Sequence, residues 1–176
     1  ILCVLRVINS TAVALAWCEE RLRRQAGDEA LSDAVRDIIE DVRDRGDDAL
    51  LELTSRLDQV ELDGVIVDPA ELAAAEAELG ADLAAAIRMS VERVEAYYRR
   101  QTEGGFLHGG GAVLGQLVVP LASVGCYVPG GTAPLFSSVI MTAVPARVAG
   151  VQRVVVATPP GRDGRVPAEV RFAAHV

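Results

Sequence analysis

The sequence predicts an α/β protein: a helical N-terminal region followed by a βαβ unit whose strands form a parallel sheet. Three observations carry this. From Thr11 to Gln101 apolar side chains recur mainly at the helix period. From Val113 onward, short runs rich in β-branched residues alternate with one helical segment. The residues are 51% hydrophobic but only 4% aromatic, so the core is built from Ala, Val and Leu, which suit helices packed on helices or on a parallel sheet.

The elements follow in order. Thr11 to about Arg24 is helical, with Val13, Trp17 and Leu22 near the helix period. A stronger helix is expected from Ser32, a good N-cap, to Arg45, with Val35, Ile38, Ile39 and Val42 as its stripe. Gly46 stops it. Asp47 opens another helix with Ala49, Leu50, Leu53 and Leu57 on its apolar face. Val65 to Val67 reads as a brief strand. Asp68 and Pro69 then give an N-cap and a proline at the first helical position. The Ala-rich helix from Pro69 ends at Glu78, Gly80 breaks it, and Asp82 is expected to cap the next. That long helix, Leu83 to about Gln101, carries Ile87, Val91, Val94 and Tyr98 on one side, and Gly104-Gly105 ends it.

Beyond it, a Gly-rich loop at Gly109 to Gly111 is expected to lead into a β-branched run, Val113 to Val119, closed by Pro120. Ser123 to Val128 reads as a buried strand ended by Pro129-Gly130-Gly131. A helix starts at Ser137, bends at Pro145 and closes at Gly150. Gln152 to Ala157 is a second buried strand, and Thr158-Pro159-Pro160 ends it. Strand, helix, strand implies a right-handed crossover and a parallel pair. A further helix begins after Val166. A parallel sheet needs several strands and cover on both faces. Two strands fall short of that, so the chain is expected to be the front portion of a longer one.

Charge and composition exclude several classes. A net charge of −8 and a pI near 4.8 repel a phosphate backbone, so no nucleic-acid partner is expected. Cys3, Cys18 and Cys126 are odd in number and lack CxxC spacing, which points to a reducing, cytoplasmic setting without a disulfide framework. Residues 1 to 18 are largely apolar. Arg6, Asn9, Ser10 and Thr11 interrupt them, however, so neither a membrane span nor a signal peptide is expected. His108 and His175 stand alone in the sequence, without the spacing of a zinc site. Together with Glu103 and Cys126 they are read as carrying no catalytic role.

The most distinctive segment is Tyr127-Val128-Pro129-Gly130-Gly131-Thr132-Ala133-Pro134. It falls at the carboxyl end of a strand and before a helix, where open α/β sheets place ligands. Adjacent glycines admit a ligand without a Cβ in the way. By itself the segment equally suits a tight turn with no ligand, since it is not a GxGxxG fingerprint.

The run Val113-Leu114-Gly115-Gln116, Pro120 and Val124 through Met141 resembles the hallmark of the histidinol dehydrogenase family, as do Pro145 through Val151 and Thr158-Pro159-Pro160. Upstream, Val42 to Asp47 and Leu53 to Asp58 are similar to the family's helical entry. The resemblance covers about residues 33 to 174. Leu57 replaces a typical Phe, and Tyr97-Tyr98 replace a typical Phe-His pair; the Leu57 and Tyr97 changes are read as matters of packing, and Tyr98 in place of His is the departure expected to bear on function.

The resemblance implies Rossmann-like halves related to the aldehyde dehydrogenase architecture. The expected division is an unassigned N-terminal extension, 1–30; a mostly helical region, 31–121; and the start of a Rossmann-like NAD-binding domain, 122–176. It implies oxidation of L-histidinol to L-histidine in two NAD-dependent steps through an aldehyde, with zinc holding the substrate and a homodimer as the assembly. Tyr127 is carried over as an NAD contact, and Gly130 and Gly131 are added on geometric grounds. No residue of this chain matches the family's catalytic Glu-His pair or zinc ligands, so the chain alone is expected to be inactive. The alternative reading is a catalytically inactive module that only binds nucleotide or contacts another subunit.

Overall fold

The computed structural model describes residues 10–25, 29–101, 104–130 and 133–176. Helices α1 (Thr11–Gln25), α2 (Glu29–Arg45), α3 (Asp47–Asp58), α4 (Pro69–Ala74) and α5 (Ala81–Tyr98) come first. Strands β1 (Phe106–Gly110), β2 (Ala112–Gln116) and β3 (Ser123–Tyr127) follow, then α6 (Phe136–Val148), β4 (Arg153–Ala157) and α7 (Ala168–His175). The chain divides into two compact units that meet between Leu50 and Leu51.

In the first unit, α2 begins at Glu29, so Ser32 lies inside its first turn rather than at its cap. Ala30 and Leu31 are good helix formers and extend it backwards. Gly46 ends α2 with φ +61°, a conformation that costs glycine little, and its N–H donates to the Val42 carbonyl at 2.9 Å. On the last turn, Arg45 grips Asp41 through two hydrogen bonds of 2.6 and 2.7 Å. The stripe Val35, Ile38 and Ile39 stays exposed.

In the second unit, Val65 to Val67 forms no strand, because no neighbouring strand pairs with it, and Ile66 points into solvent. Asp68 caps α4 as expected: its Oδ1 accepts from the Ala70 N–H at 2.7 Å, with Pro69 at the first helical position. The helix does not run on to Glu78 as α-helix. It tightens into a 3-10 turn over Ala75–Glu78. Gly80, not Asp82, occupies the N-cap of α5. Its carbonyl takes the first helical bond from Ala84, and Asp82 sits in the first turn near the positive end of the dipole.

The expected loop at Gly109 to Gly111 is mostly strand. Gly109 and Gly110 pair with Val113 and Ala112, so β1 and β2 form an antiparallel hairpin that turns on Gly111 at φ +71°. Glycine is required elsewhere in this ribbon too: a Cβ on Gly115 would lie 2.5 Å from the Phe106 carbonyl oxygen. The β-branched run itself leaves the ladder at Gln116.

Strands β3 and β4 are parallel and in register, Ser123 opposite Arg153 and Tyr127 opposite Ala157. Helix α6 connects them in sequence, begins one residue before Ser137, and contains Pro145. Pro145 has no N–H to give the Met141 carbonyl. Gly150 follows at φ +87°. Thus the α/β architecture expected from the sequence is present.

Burial explains how these pieces hold together. Phe172, Ile87, Val128 and Val139 are fully buried, and Ile140, Val170 and Ala84 pack with them, so α5, α6, α7 and the 3-10 turn share one core. Each such side chain contributes about 1.5–3 kcal/mol. The Arg88 guanidinium lies 4.9 Å from the Phe172 ring centroid, sealing that edge of the core. The parallel pair is two-faced. Val124, Cys126, Val154 and Val156 are buried or half-buried, whereas Ser123, Gly125, Tyr127, Arg153, Val155 and Ala157 are exposed.

Candidate functional site

Three features position the segment that follows β3. The Val128 N–H extends the parallel ladder by donating to the Ala157 carbonyl at 2.8 Å, and the Val128 side chain is fully buried. That anchors the strand end firmly. Period-two alternation then sends Tyr127 to the open face, where it is 68% exposed. Gly130 comes next, and a Cβ there would lie only 2.4 Å from Cγ of Pro159. The loop after β3 is therefore pressed against the loop after β4, and only glycine permits that approach.

Gly131 and Thr132 lie outside the described residues, as does Glu103. Beyond them α6 starts at Phe136, capped by no side chain and with no acidic residue in its first turn. The Ser138 N–H donates to the Leu135 carbonyl at 2.9 Å, and the positive end of the helix dipole lies at this end. Tyr127, Gly130 and the start of α6 thus all belong to the carboxyl-end side of the parallel pair. Sequence reasoning named Tyr127 and Gly130. It missed Pro159 as Gly130's neighbour, because a contact between two loops has no local signature.

The other titratable candidates are scattered. His108 sits on β1 opposite Leu114 and is exposed, and His175 is exposed at the end of α7. Cys126 is a buried free thiol on the covered face of β3. Tyr98 is half-buried, with its ring edge-on to Tyr97 at 5.4 Å. Among the described residues, no group of three or more His, Cys, Asp or Glu side chains could hold a metal ion. A cavity of about 650 Å³ is lined by Val91, Glu95, Val144, Arg147, Val156 and Val176 among others, and Tyr127 does not line it.

Among the described residues one charged side chain is buried, and no local sequence pattern foretells it. Arg171, 3% exposed on α7, donates from Nε to the Val166 carbonyl at 2.9 Å and from Nη1 to the Glu71 carbonyl at 3.2 Å. Its Nη2 donates to Glu78 Oε2 at 2.7 Å. That hydrogen bond holds the Glu78 carboxyl below its ordinary range, partly offset by desolvation and aided by the charges of Arg171 and Arg165.

Residues 21–176 match the family model described as histidinol dehydrogenase, so the match begins well before residue 33. The histidinol dehydrogenase of Deinococcus radiodurans is 54% identical over 142 residues, 80% of this chain and 32% of that protein. The Geobacillus kaustophilus enzyme is 46% identical over 158 residues, 88% and 37% respectively. The crystal structure of histidinol dehydrogenase from Elizabethkingia anophelis superposes with a TM-score of 0.76 at 30% identity, over 82% of this chain and 34% of that one. The chain spans about a third of the length of these relatives. With a model match over most of its residues, the chain belongs to the histidinol dehydrogenase family.

Proposed function

We propose that this chain supplies an NAD-binding part of a histidinol dehydrogenase. The protein built on it would oxidise L-histidinol to L-histidine in two NAD-dependent steps. The observation that carries the reading is the placement of Tyr127. It is an exposed aromatic at the carboxyl end of a parallel strand, followed by a glycine-tightened loop and an uncharged helix start. A flat ring packs against a dinucleotide, and its hydroxyl serves the polar atoms. Gly130 keeps the loop low, and Gly131 is proposed to let the same loop approach the cofactor. The first N–H groups of α6 suit a pyrophosphate. NAD, when bound, supplies the hydride acceptor; what these residues do is bind and orient it.

Zinc belongs to the same proposal for the whole protein. Among the described residues no donor set fits the ion. No described helix is long and apolar enough to cross a membrane. A cytoplasmic setting and the absence of nucleic acid as a partner complete the reading, supported by the cysteine pattern and the acidic charge, and the family resemblance supports a homodimer.

The test is kinetic. In a protein of the relatives' length that carries this segment, Tyr127→Ala should raise the apparent KM for NAD while leaving zinc content unchanged. A normal KM for NAD would remove Tyr127 from the site.

A further inference from the structure

We infer that Pro159 is a positioning residue of the cofactor site: it braces Gly130, and so fixes the loop after β3 beside Tyr127 before NAD binds. The inference deepens the proposed NAD reading and rests on it. A conflict within the segment calls for such a brace. Adjacent glycines let a cofactor come close, but glycine has more backbone freedom than any other residue, and freedom lost on binding weakens it. A loop of that kind binds well only when a neighbour already holds it still.

The neighbour is the loop after β4. The Val128 N–H donates to the Ala157 carbonyl at 2.8 Å, so the two loops leave the parallel pair side by side. Among the described residues, the nearest atoms that a Cβ on Gly130 would meet all belong to Pro159: Cγ at 2.4 Å, Cδ at 3.3 Å and Cβ at 3.4 Å. Gly130 is exposed and Pro159 half-buried, so the ring backs the loop rather than facing water. The ring is itself held. Proline fixes its own φ, and the following Pro160 confines position 159 to extended backbone. Beyond the prolines the chain closes on itself. The Gly161 N–H donates to the Arg165 carbonyl at 2.8 Å, and the Gly164 N–H to the Gly161 carbonyl at 2.9 Å. Asp163 Oδ1 accepts from the Arg165 N–H at 3.1 Å. Gly164 then sits against Val60 and Leu62, where a Cβ would lie 3.6 Å from a methyl of each. Pro159 is thus a stiff ring on a closed turn, pressed against the most pliable residue of the cofactor loop.

The test is steady-state kinetics in a protein of the relatives' length that carries this segment, at a temperature where circular dichroism shows every variant folded. Pro159→Ala keeps the extended path, because Pro160 still follows, and removes the ring atoms that touch Gly130. It should raise the KM for NAD about fivefold while kcat moves by less than about twofold. Gly130→Ala should raise the KM similarly, by displacing the loop. In the double variant the new methyl takes the place of the lost ring atoms, 3.4 Å from the Cβ that Pro159→Ala retains, an ordinary contact. Its KM should return to within about twofold of the wild type. A loss of stability alone moves none of these values while the proteins are folded. A normal KM in Pro159→Ala, where Tyr127→Ala raises it, overturns the brace and leaves the NAD reading standing. So does a double variant no better than Pro159→Ala. A normal KM in both Pro159→Ala and Tyr127→Ala removes the brace and the reading together. If Pro159→Ala does not fold, Pro159→Ser opens the ring in the same way and decides by the same comparison.

Discussion

Arg171 on α7 and Glu78 at the end of the 3-10 turn are joined at 2.7 Å across 93 positions of sequence. Both elements also contribute to the buried core, Ala75 from the turn and Val170, Phe172 and Ala173 from α7. The guanidinium also holds the carbonyls of Glu71 and Val166, so one side chain ties α4, the 3-10 turn and the approach to α7 together. Its planar fork suits this work in a way a lysine ammonium does not.

Replacing Arg171 by Met removes all three bonds and leaves two carbonyls and a carboxylate short of a partner. The expected loss is about 2–3 kcal/mol, at roughly 1 kcal/mol per hydrogen bond. Arg171→Lys should recover only part of it. Urea denaturation of the three proteins checks this; equal midpoints would show that the clamp contributes nothing.

The same pair sets a pH dependence. Glu78 is held below its ordinary value in the folded chain, so the unfolded chain binds its proton more readily. The pair's contribution is therefore fully present above the ordinary carboxylate range and is lost as pH falls through the folded value. Glu78→Gln should melt below the wild type at pH 7, and the gap should close as the solution is acidified below about pH 4. Because Glu78 is largely open to water, the gap should also shrink in high salt. A gap that is constant from pH 7 to pH 3 would exclude this coupling.

Gly130→Ala drives a methyl group to within 2.4 Å of Pro159 Cγ, and a proline ring has little freedom to move aside. The expected cost is about 1–3 kcal/mol, as for other overpacked sites. Pro159→Ala in the same chain should restore much of it. If the double variant were no more stable than Gly130→Ala alone, the two loops would not be in the contact described.

Much of the architecture was legible because it is local. Asp68-Pro69 specifies a cap and first turn from adjacent residues, and the valines of β4 announce a strand by composition, although Val155 is exposed and the strand is not the buried one expected. The misread elements turn on partners distant in sequence. Val65 to Val67 has β-branched residues but no strand beside it. Gly109 and Gly110 read as loop, yet they gain ladder partners in β2. At the candidate site, Tyr127 was visible through alternation and the motif around it. Gly130's dependence on Pro159, and the burial of Arg171, arise from contacts about 30 and 100 residues apart that no periodicity records.

The central claim is that Tyr127 presents its ring to NAD, and calorimetric titration of NAD into this chain tests it most directly. Tyr127 is 68% exposed, so Tyr127→Ala and Tyr127→Phe should both fold and melt like the wild type. The expected result is saturable binding that weakens about tenfold in Tyr127→Ala, as for loss of roughly 1.4 kcal/mol, and much less in Tyr127→Phe. Binding of equal strength in the wild type and Tyr127→Ala, or no binding by the folded wild type, would contradict it.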